Sequence, residues 1–129
     1  MAEVVVDASV IVDLLVGTTE ARAIEERLRD HALHAPAHID AEVLSALGRL
    51  HRAGRLSARS VATRIARLAA APIERHPLAP LLGGAWRARG SLRLVDGLYA
   101  ALSARLGIPV VTTDRRLAAS LASAELIEP

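Results

Sequence analysis

Four acidic residues stand in apolar surroundings. Asp7 ends the run Val4-Val5-Val6, and Glu42 lies among Ala41, Val43, Leu44, Ala46 and Leu47. Asp96 follows Leu94-Val95, and Asp114 follows Val110-Val111-Thr112-Thr113. An ionised carboxylate in such company needs a cation to offset its lost hydration. The chain contains no Lys, which leaves Arg or a divalent metal as the partner. Several hard oxygen donors converging on one point suit Mg²⁺ or Mn²⁺. Each acid also has an ordinary reading. Asp7, Asp96 and Asp114 stand where helix N-caps are expected, since Asp accepts from the free N–H groups of a first turn. Glu42 lies past any cap and could be a solvated helix residue. Asp40 and Asp13 are weaker candidates, the first as a cap, the second as a solvated helix position. Ser9 and Thr112, each two residues from a key Asp, could hydrogen-bond a carboxylate or a metal-bound water.

The elements that must position these acids can be read from periodicity. Short apolar runs predict strands at Val4–Val6, Leu33–Ala35, Ile73–Arg75 and Val110–Thr112, with Leu126–Ile127 as an edge strand. Between them, spacing and caps predict helices at 9–15, from Thr18 or Thr19 to Asp30, 38–53, 58–71 behind Ser57, 78–89, 95–107 ending at Gly107, and 115–122 behind Asp114. Strands alternating with helices predict an α/β fold around a parallel sheet. In such sheets, sites form beyond the carboxyl ends of strands where strand order reverses. Asp7 and Asp114 stand at such ends, and Asp96 and Glu42 lie in first helical turns that could lean over the same edge.

Composition narrows the field. A chain of 129 residues is the size of a single domain, here 1–129, and its 52% hydrophobic but 2% aromatic content requires a core of Ala, Leu, Val and Ile. The absence of Cys excludes disulfides, thiolate nucleophiles and iron–sulfur clusters, and fits a cytoplasmic location. No signal peptide or membrane span is expected. The net charge of +2 conceals an asymmetry. Residues 1–48 carry nine acids and three Arg, whereas residues 49–93 carry ten Arg and only Glu74. A basic middle beside an acid cluster suggests a polyanion held near a metal-loaded cleft; its bland reading is a set of solvated helix faces.

Other chemistries fail on missing residues. Phosphotransfer sites with an Asp after the first strand rely on a Lys that is absent. No Gly-x-x-x-x-Gly-Lys or Gly-x-Gly-x-x-Gly loop exists. His31, His34, His38, His51 and His76 form no His-Glu-x-x-His pattern, and Pro36 separates His34 from His38. No histidine metal site is therefore expected.

Four segments in order resemble the PIN-domain ribonucleases, and within them the VapC-type toxins of toxin–antitoxin pairs. They are Val-Val-Val-Asp7-Ala-Ser9, Ala41-Glu42-Val-Leu-Ser-Ala-Leu47, Asp96-Gly-Leu-Tyr99-Ala-Ala-Leu and Val-Val-Thr112-Thr-Asp114-Arg-Arg-Leu. Gly97 stands where Ala is frequent, and Arg116 where some members carry a further acid. The resemblance implies a PIN-like three-layer sandwich, with a central, mainly parallel sheet of four to five strands flanked by helices. It also implies an Mg²⁺- or Mn²⁺-dependent endoribonuclease. Asp7, Asp96 and Asp114 would be its principal metal ligands, Glu42 a ligand or water-orienting group, and Ser9 and Thr112 their supports. RNA would contact Arg49, Arg52, Arg55, Arg87, Arg89 and Arg93. A homodimer and a cognate antitoxin are the implied partners. Two alternatives share the same residues: a DNA nuclease of this fold, and a non-catalytic module that binds RNA or protein.

Overall fold

The computed structural model describes residues 2–129. Five strands, β1 (Ala2–Val6), β2 (His31–Pro36), β3 (Ile73–His76), β4 (Val110–Thr112) and β5 (Ala124–Leu126), pair throughout in parallel in the order β3-β2-β1-β4-β5. The expected strands are all present, and the sheet is wholly parallel. Parallel pairing needs crossovers, and seven helices supply them. Helices α1 (Ala8–Val16) and α2 (Ala21–Leu28) connect β1 to β2; α3 (Ile39–Arg52) and α4 (Ala58–Ala70) connect β2 to β3. A 3₁₀ turn at Ala79–Leu81, α5 (Leu82–Arg87) and α6 (Leu94–Leu106) lead to β4, and α7 (Arg115–Ser120) leads to β5.

Strand periodicity divides the core between two faces. Val4 and Val6 point to one side, with Val10, Ile24, Ala35, Val43, Leu47, Leu68 and Ile73 from or beneath α1–α4. Val5 points to the other, with Leu81, Ala85, Leu98, Tyr99, Leu102 and Val110 beneath α5 and α6. Burying one such Leu or Val contributes about 1.5–3 kcal/mol, so this unaromatic core is held together by many medium-sized terms. The chain runs outward from β1 through β2 to β3, then returns to place β4 on the other flank of β1. Strand order therefore reverses between β1 and β4, where Asp7 and Asp114 leave the sheet.

Several boundaries differ from the expected ones for local reasons. Neither Thr18 nor Thr19 caps α2; its N-cap is Glu20, with no side-chain cap bond. The stretch 78–89 is broken into the 3₁₀ turn and a short α5, since Pro80 and the Gly83-Gly84 pair lower helix propensity there. Helix α6 ends as expected at Gly107, whose φ of 68° is left-handed. No helix among the described residues is long and apolar enough to cross a membrane.

Candidate active site

Asp7 is the N-cap of α1. Its Oδ1 accepts from the Val10 N–H at 3.4 Å and from the Ser9 hydroxyl at 2.7 Å, and its Oδ2 accepts from the Thr112 hydroxyl at 2.9 Å. Thr112 and Ser9 are thus the hinge pins of the β1–β4 end. Thr112 Oγ1 also accepts the Asp114 N–H at 2.9 Å, and Ser9 Oγ accepts the Thr113 N–H at 3.1 Å. Asp7 is only 6% exposed, and no Arg or His pairs with it among the described residues. Burial pushes its carboxyl up to about 6, against the hydrogen bonds of Ser9, Thr112 and Val10, with a small further push from Asp114. Desolvation, not repulsion among acids, is the main cause.

Asp114 caps α7, accepting from the Arg116 N–H at 2.9 Å and the Leu117 N–H at 3.2 Å. For Asp7 and Asp114 the cap reading is therefore correct, and it leaves each with a carboxylate oxygen that the cap bonds do not use. Asp96 is different. The N-cap of α6 is Arg93, so Asp96 lies inside the first turn and caps nothing. It is buried, and it is satisfied by Arg93 Nε at 3.0 Å and Arg93 Nη2 at 3.3 Å. Arg116 Nη2 reaches 3.6 Å from Asp96 and 3.5 Å from Asp114, joining the two acids through one guanidinium.

Glu42, in the first turn of α3, is tied down rather than solvated. Tyr99 of α6 donates its hydroxyl to Glu42 Oε1 at 2.7 Å, and His38 Nε2 lies 3.2 Å from the same oxygen. Burial works to raise the Glu42 carboxyl. The bonds from His38 and Tyr99 and the charges of His38 and Arg93 outweigh it, and hold the group below the usual range. Burial, then the charge of Glu42, pushes the Tyr99 hydroxyl upward, so Tyr99 stays a donor.

Of the four acids, Glu42 lines a cleft of about 680 Å³, together with Ser9, Asp13, His38, Ser45, Arg49 and Arg93. Asp96 and Arg116 border a smaller hollow, and Arg93 lines both, forming the partition between them. Of the six expected RNA-contacting arginines, Arg49 and Arg93 reach this cleft. Arg55 lines a neighbouring hollow that shares Val12 and Asp13 with it. Arg52 and Arg87 are exposed, and Arg89 is stacked 4.4 Å over Trp86. The weaker acids acquire definite roles. Asp40 pairs with Arg75 of β3, and Asp13 accepts the Thr113 hydroxyl at 2.6 Å, which corrects its reading as a solvated residue.

Sequence reasoning missed Tyr99, His38 and Arg116 as partners of the acids. His38 and Glu42 are four apart in sequence, a legible signal; Tyr99 is 57 residues from Glu42 and meets it only through the tertiary fold. The donor set of carboxylates and hydroxyls suits a hard divalent cation. Buried Asp7, which has no ion-pair partner among the described residues, is the acid whose charge such a cation would offset. The four acids are not drawn to ligand spacing about one point; Arg93 and Arg116 stand among them.

The family profile described as "PIN domain" matches residues 4–120. "Ribonuclease VapC3" of Mycobacterium tuberculosis is 50% identical over 126 residues, which cover 97% of this chain and 92% of that protein. "Ribonuclease VapC12" of the same species is 36% identical over 117 residues, covering 91% of each. The crystal structure of M. tuberculosis VapC20, described as a sarcin-ricin loop cleaving toxin, superposes with a TM-score of 0.71 at 19% identity. It covers 98% of this chain and 99% of its own, and that likeness concerns the fold. The chain belongs to the PIN-domain family and, within it, to the VapC type.

Proposed function

We propose that this chain is a divalent-metal-dependent endoribonuclease and the toxin of a toxin–antitoxin pair. The observation that carries the reading is Asp7. A buried carboxylate at the strand-order reversal, fixed through both oxygens and matched by no cation among the described residues, is costly unless a ligand uses it. Its similarity to proteins named ribonucleases supports RNA as the substrate. Asp7, Asp96 and Asp114 would hold Mg²⁺ or Mn²⁺, with Glu42 at the cleft edge. Bound there, the ion supplies Lewis acidity toward a scissile phosphodiester.

The chain's own residues do the rest. Tyr99 and His38 hold Glu42 ionised and oriented, so that it can accept a proton from an attacking water. Ser9 and Thr112 fix the rotamer of Asp7. Arg93 and Arg116 neutralise Asp96 and Asp114 while the site is free of cation. Both guanidiniums are surface-exposed enough to turn toward a phosphate instead, where Arg binds two oxygens in plane. Arg49 extends the positive wall of the cleft.

The proposed partners are a second copy of the chain and an antitoxin. Leu44 and Ile65 of α3 and α4 remain exposed, as do Leu82, Trp86, Leu94 and Val95, while Leu68 is buried in the monomer. This apolar surface supports a homodimer and an antitoxin, whose Arg or Lys would enter among the acids in place of the metal charge. Matched RNA and DNA substrates, incubated with Mg²⁺ or Mn²⁺ and then with EDTA, test the reading. RNA is expected to be cut, DNA spared and EDTA to abolish cleavage. Preferential cutting of DNA would establish the DNA-nuclease alternative, and metal binding without cleavage of either would establish a non-catalytic module.

A further inference from the structure

A group of side chains with metal-ligating atoms, separate from the four acids, lies on the α5–α6 face of the sheet, at its β3 edge. Parallel register sets His34 of β2 opposite Val5 of β1 and Glu74 of β3, and Pro36 opposite His76. Side chains two residues apart share a face, so Glu3, His34, Glu74 and His76 all project to the same side from three adjacent strands. His34 is 7% exposed, whereas Glu3 and Glu74 remain largely open to solvent. His34 Nδ1 is 2.9 Å from His76 Nε2 and 3.2 Å from Glu74 Oε2, and one ligand atom from each of the three residues falls within 4.8 Å of the others. On its far side, His34 Nε2 lies 2.8 Å from Glu3 Oε1.

That last contact bears on the chemistry. Where Glu3 accepts Nε2–H, a neutral His34 ring turns its Nδ1 lone pair toward the Glu74 carboxylate and the His76 nitrogen. A cation placed between these three atoms would be held by all of them. A carboxylate holding the outer nitrogen of a histidine while the inner one binds metal is a common way to orient and strengthen that ligand. Bonds of about 2.0–2.1 Å at tetrahedral angles set donor atoms about 3.3 Å apart. The observed 2.9 and 3.2 Å separations differ from that by a few tenths of an ångström, and the third pair, His76 and Glu74, lies within 4.8 Å. Two imidazoles and one carboxylate select a borderline transition metal over Mg²⁺, and leave a fourth position for water.

We propose that His34, Glu74 and His76 form a Zn²⁺-class metal site, oriented by Glu3 and separate from the acids at the β1–β4 end. Such a site ties the four-residue edge strand β3 to β2 and stabilises the folded chain by mass action. Sequence spacing hid it, because His34 and His76 are 42 residues apart and meet only through strand pairing.

Calorimetric titration of untagged protein with Zn²⁺, in an Asp96→Asn, Asp114→Asn background that weakens the acid cluster, tests this. One equivalent of Zn²⁺ is expected to bind, to raise Tm by several degrees, and to resist competition by millimolar Mg²⁺. Co²⁺ in its place should give the visible absorption of a tetrahedral nitrogen–oxygen site. His76→Gln and Glu74→Gln, both at positions open enough to spare the fold, should each weaken binding by about tenfold or more, as should Glu3→Gln to a smaller degree. Zn²⁺ affinity unchanged in His76→Gln and Glu74→Gln would overturn the proposal. So would the absence of Zn²⁺ binding, which would make the His34–His76 contact an ordinary N–H···N hydrogen bond.

Discussion

Asp7 combines two roles that usually separate, being both the cap of α1 and a buried acid at the end of the sheet. Its burial has a pH signature of definite sign. The carboxyl rises from an ordinary value of 3.8 to about 6 on folding. The folded state therefore keeps its proton over a pH range in which the unfolded chain has lost it. Below about pH 4 Asp7 carries little penalty; as pH rises from about 4 to about 6 the metal-free protein loses of the order of 3 kcal/mol from this residue, and no more above that. Thermal melts without metal between pH 4 and 8 should show that decline, and Asp7→Asn should flatten it while abolishing stabilisation by Mn²⁺. An Asp7→Asn protein markedly less stable than wild type at pH 8 would mean that the cap outweighs the buried charge. Tyr99→Phe removes one donor to Glu42 and is expected to cost about 1–2 kcal/mol and to slow cleavage several-fold; unchanged melting and turnover would show that His38 alone holds Glu42. At this scale the acids were legible because an ionised group among apolar neighbours is conspicuous in any sequence. Their neutralising partners were not. Arg116 looked like a lost acid, yet it bridges Asp96 and Asp114, a relation that depends on the first turns of α6 and α7 coming close together.

Helices and strands carried clear signals wherever a cap and a period agreed. Ser57 caps α4 through the Ser60 N–H as its sequence suggests, and Asp114 caps α7. The signal failed where tertiary packing decided. Asp96 resembles a cap, but α6 starts two residues earlier, and its carboxylate turns into the protein toward Arg93 and Arg116. Gly97 follows the same logic. A Cβ there would lie 3.0 Å from both Cα and O of Ala85, so the glycine permits the close approach of α5 to α6. Gly97→Ala gains about 1 kcal/mol of helix propensity, yet it must push backbone aside, which typically costs about 1–3 kcal/mol. A lower Tm and a weakened Asp96–Arg93 pair are expected; a raised Tm would show that α5 yields without cost.

Across the whole molecule, the acids at the β1–β4 end have Arg93 and Arg116 beside them and Arg49 of α3 along the neighbouring cleft, while Arg87 and Arg89 lie exposed apart from them. Binding of RNA to this surface should weaken steeply with salt, by about 0.7–0.9 in the log–log slope for each phosphate contact. Replacing Arg49, Arg87 and Arg89 with Ala should lower that slope by about 2; an unchanged slope would place RNA elsewhere. Arg93 is kept out of this set because it touches Asp96. The parallel sheet and its helices could be read in advance because alternation of strands and helices leaves few topologies. Contacts between distant strands, such as those joining Glu3, His34, Glu74 and His76, could not, since register is set by the assembled sheet. The central claim is that a cation held by Asp7, Asp96 and Asp114 makes this chain a ribonuclease. Its most direct test is single-turnover cleavage of RNA by wild type and Asp96→Asn across a range of Mn²⁺ concentrations, with the melting temperature followed alongside. Cleavage should require Mn²⁺ and fall by orders of magnitude in a variant that remains folded. Cleavage by Asp96→Asn at the wild-type rate, or cleavage that persists in EDTA, would contradict it.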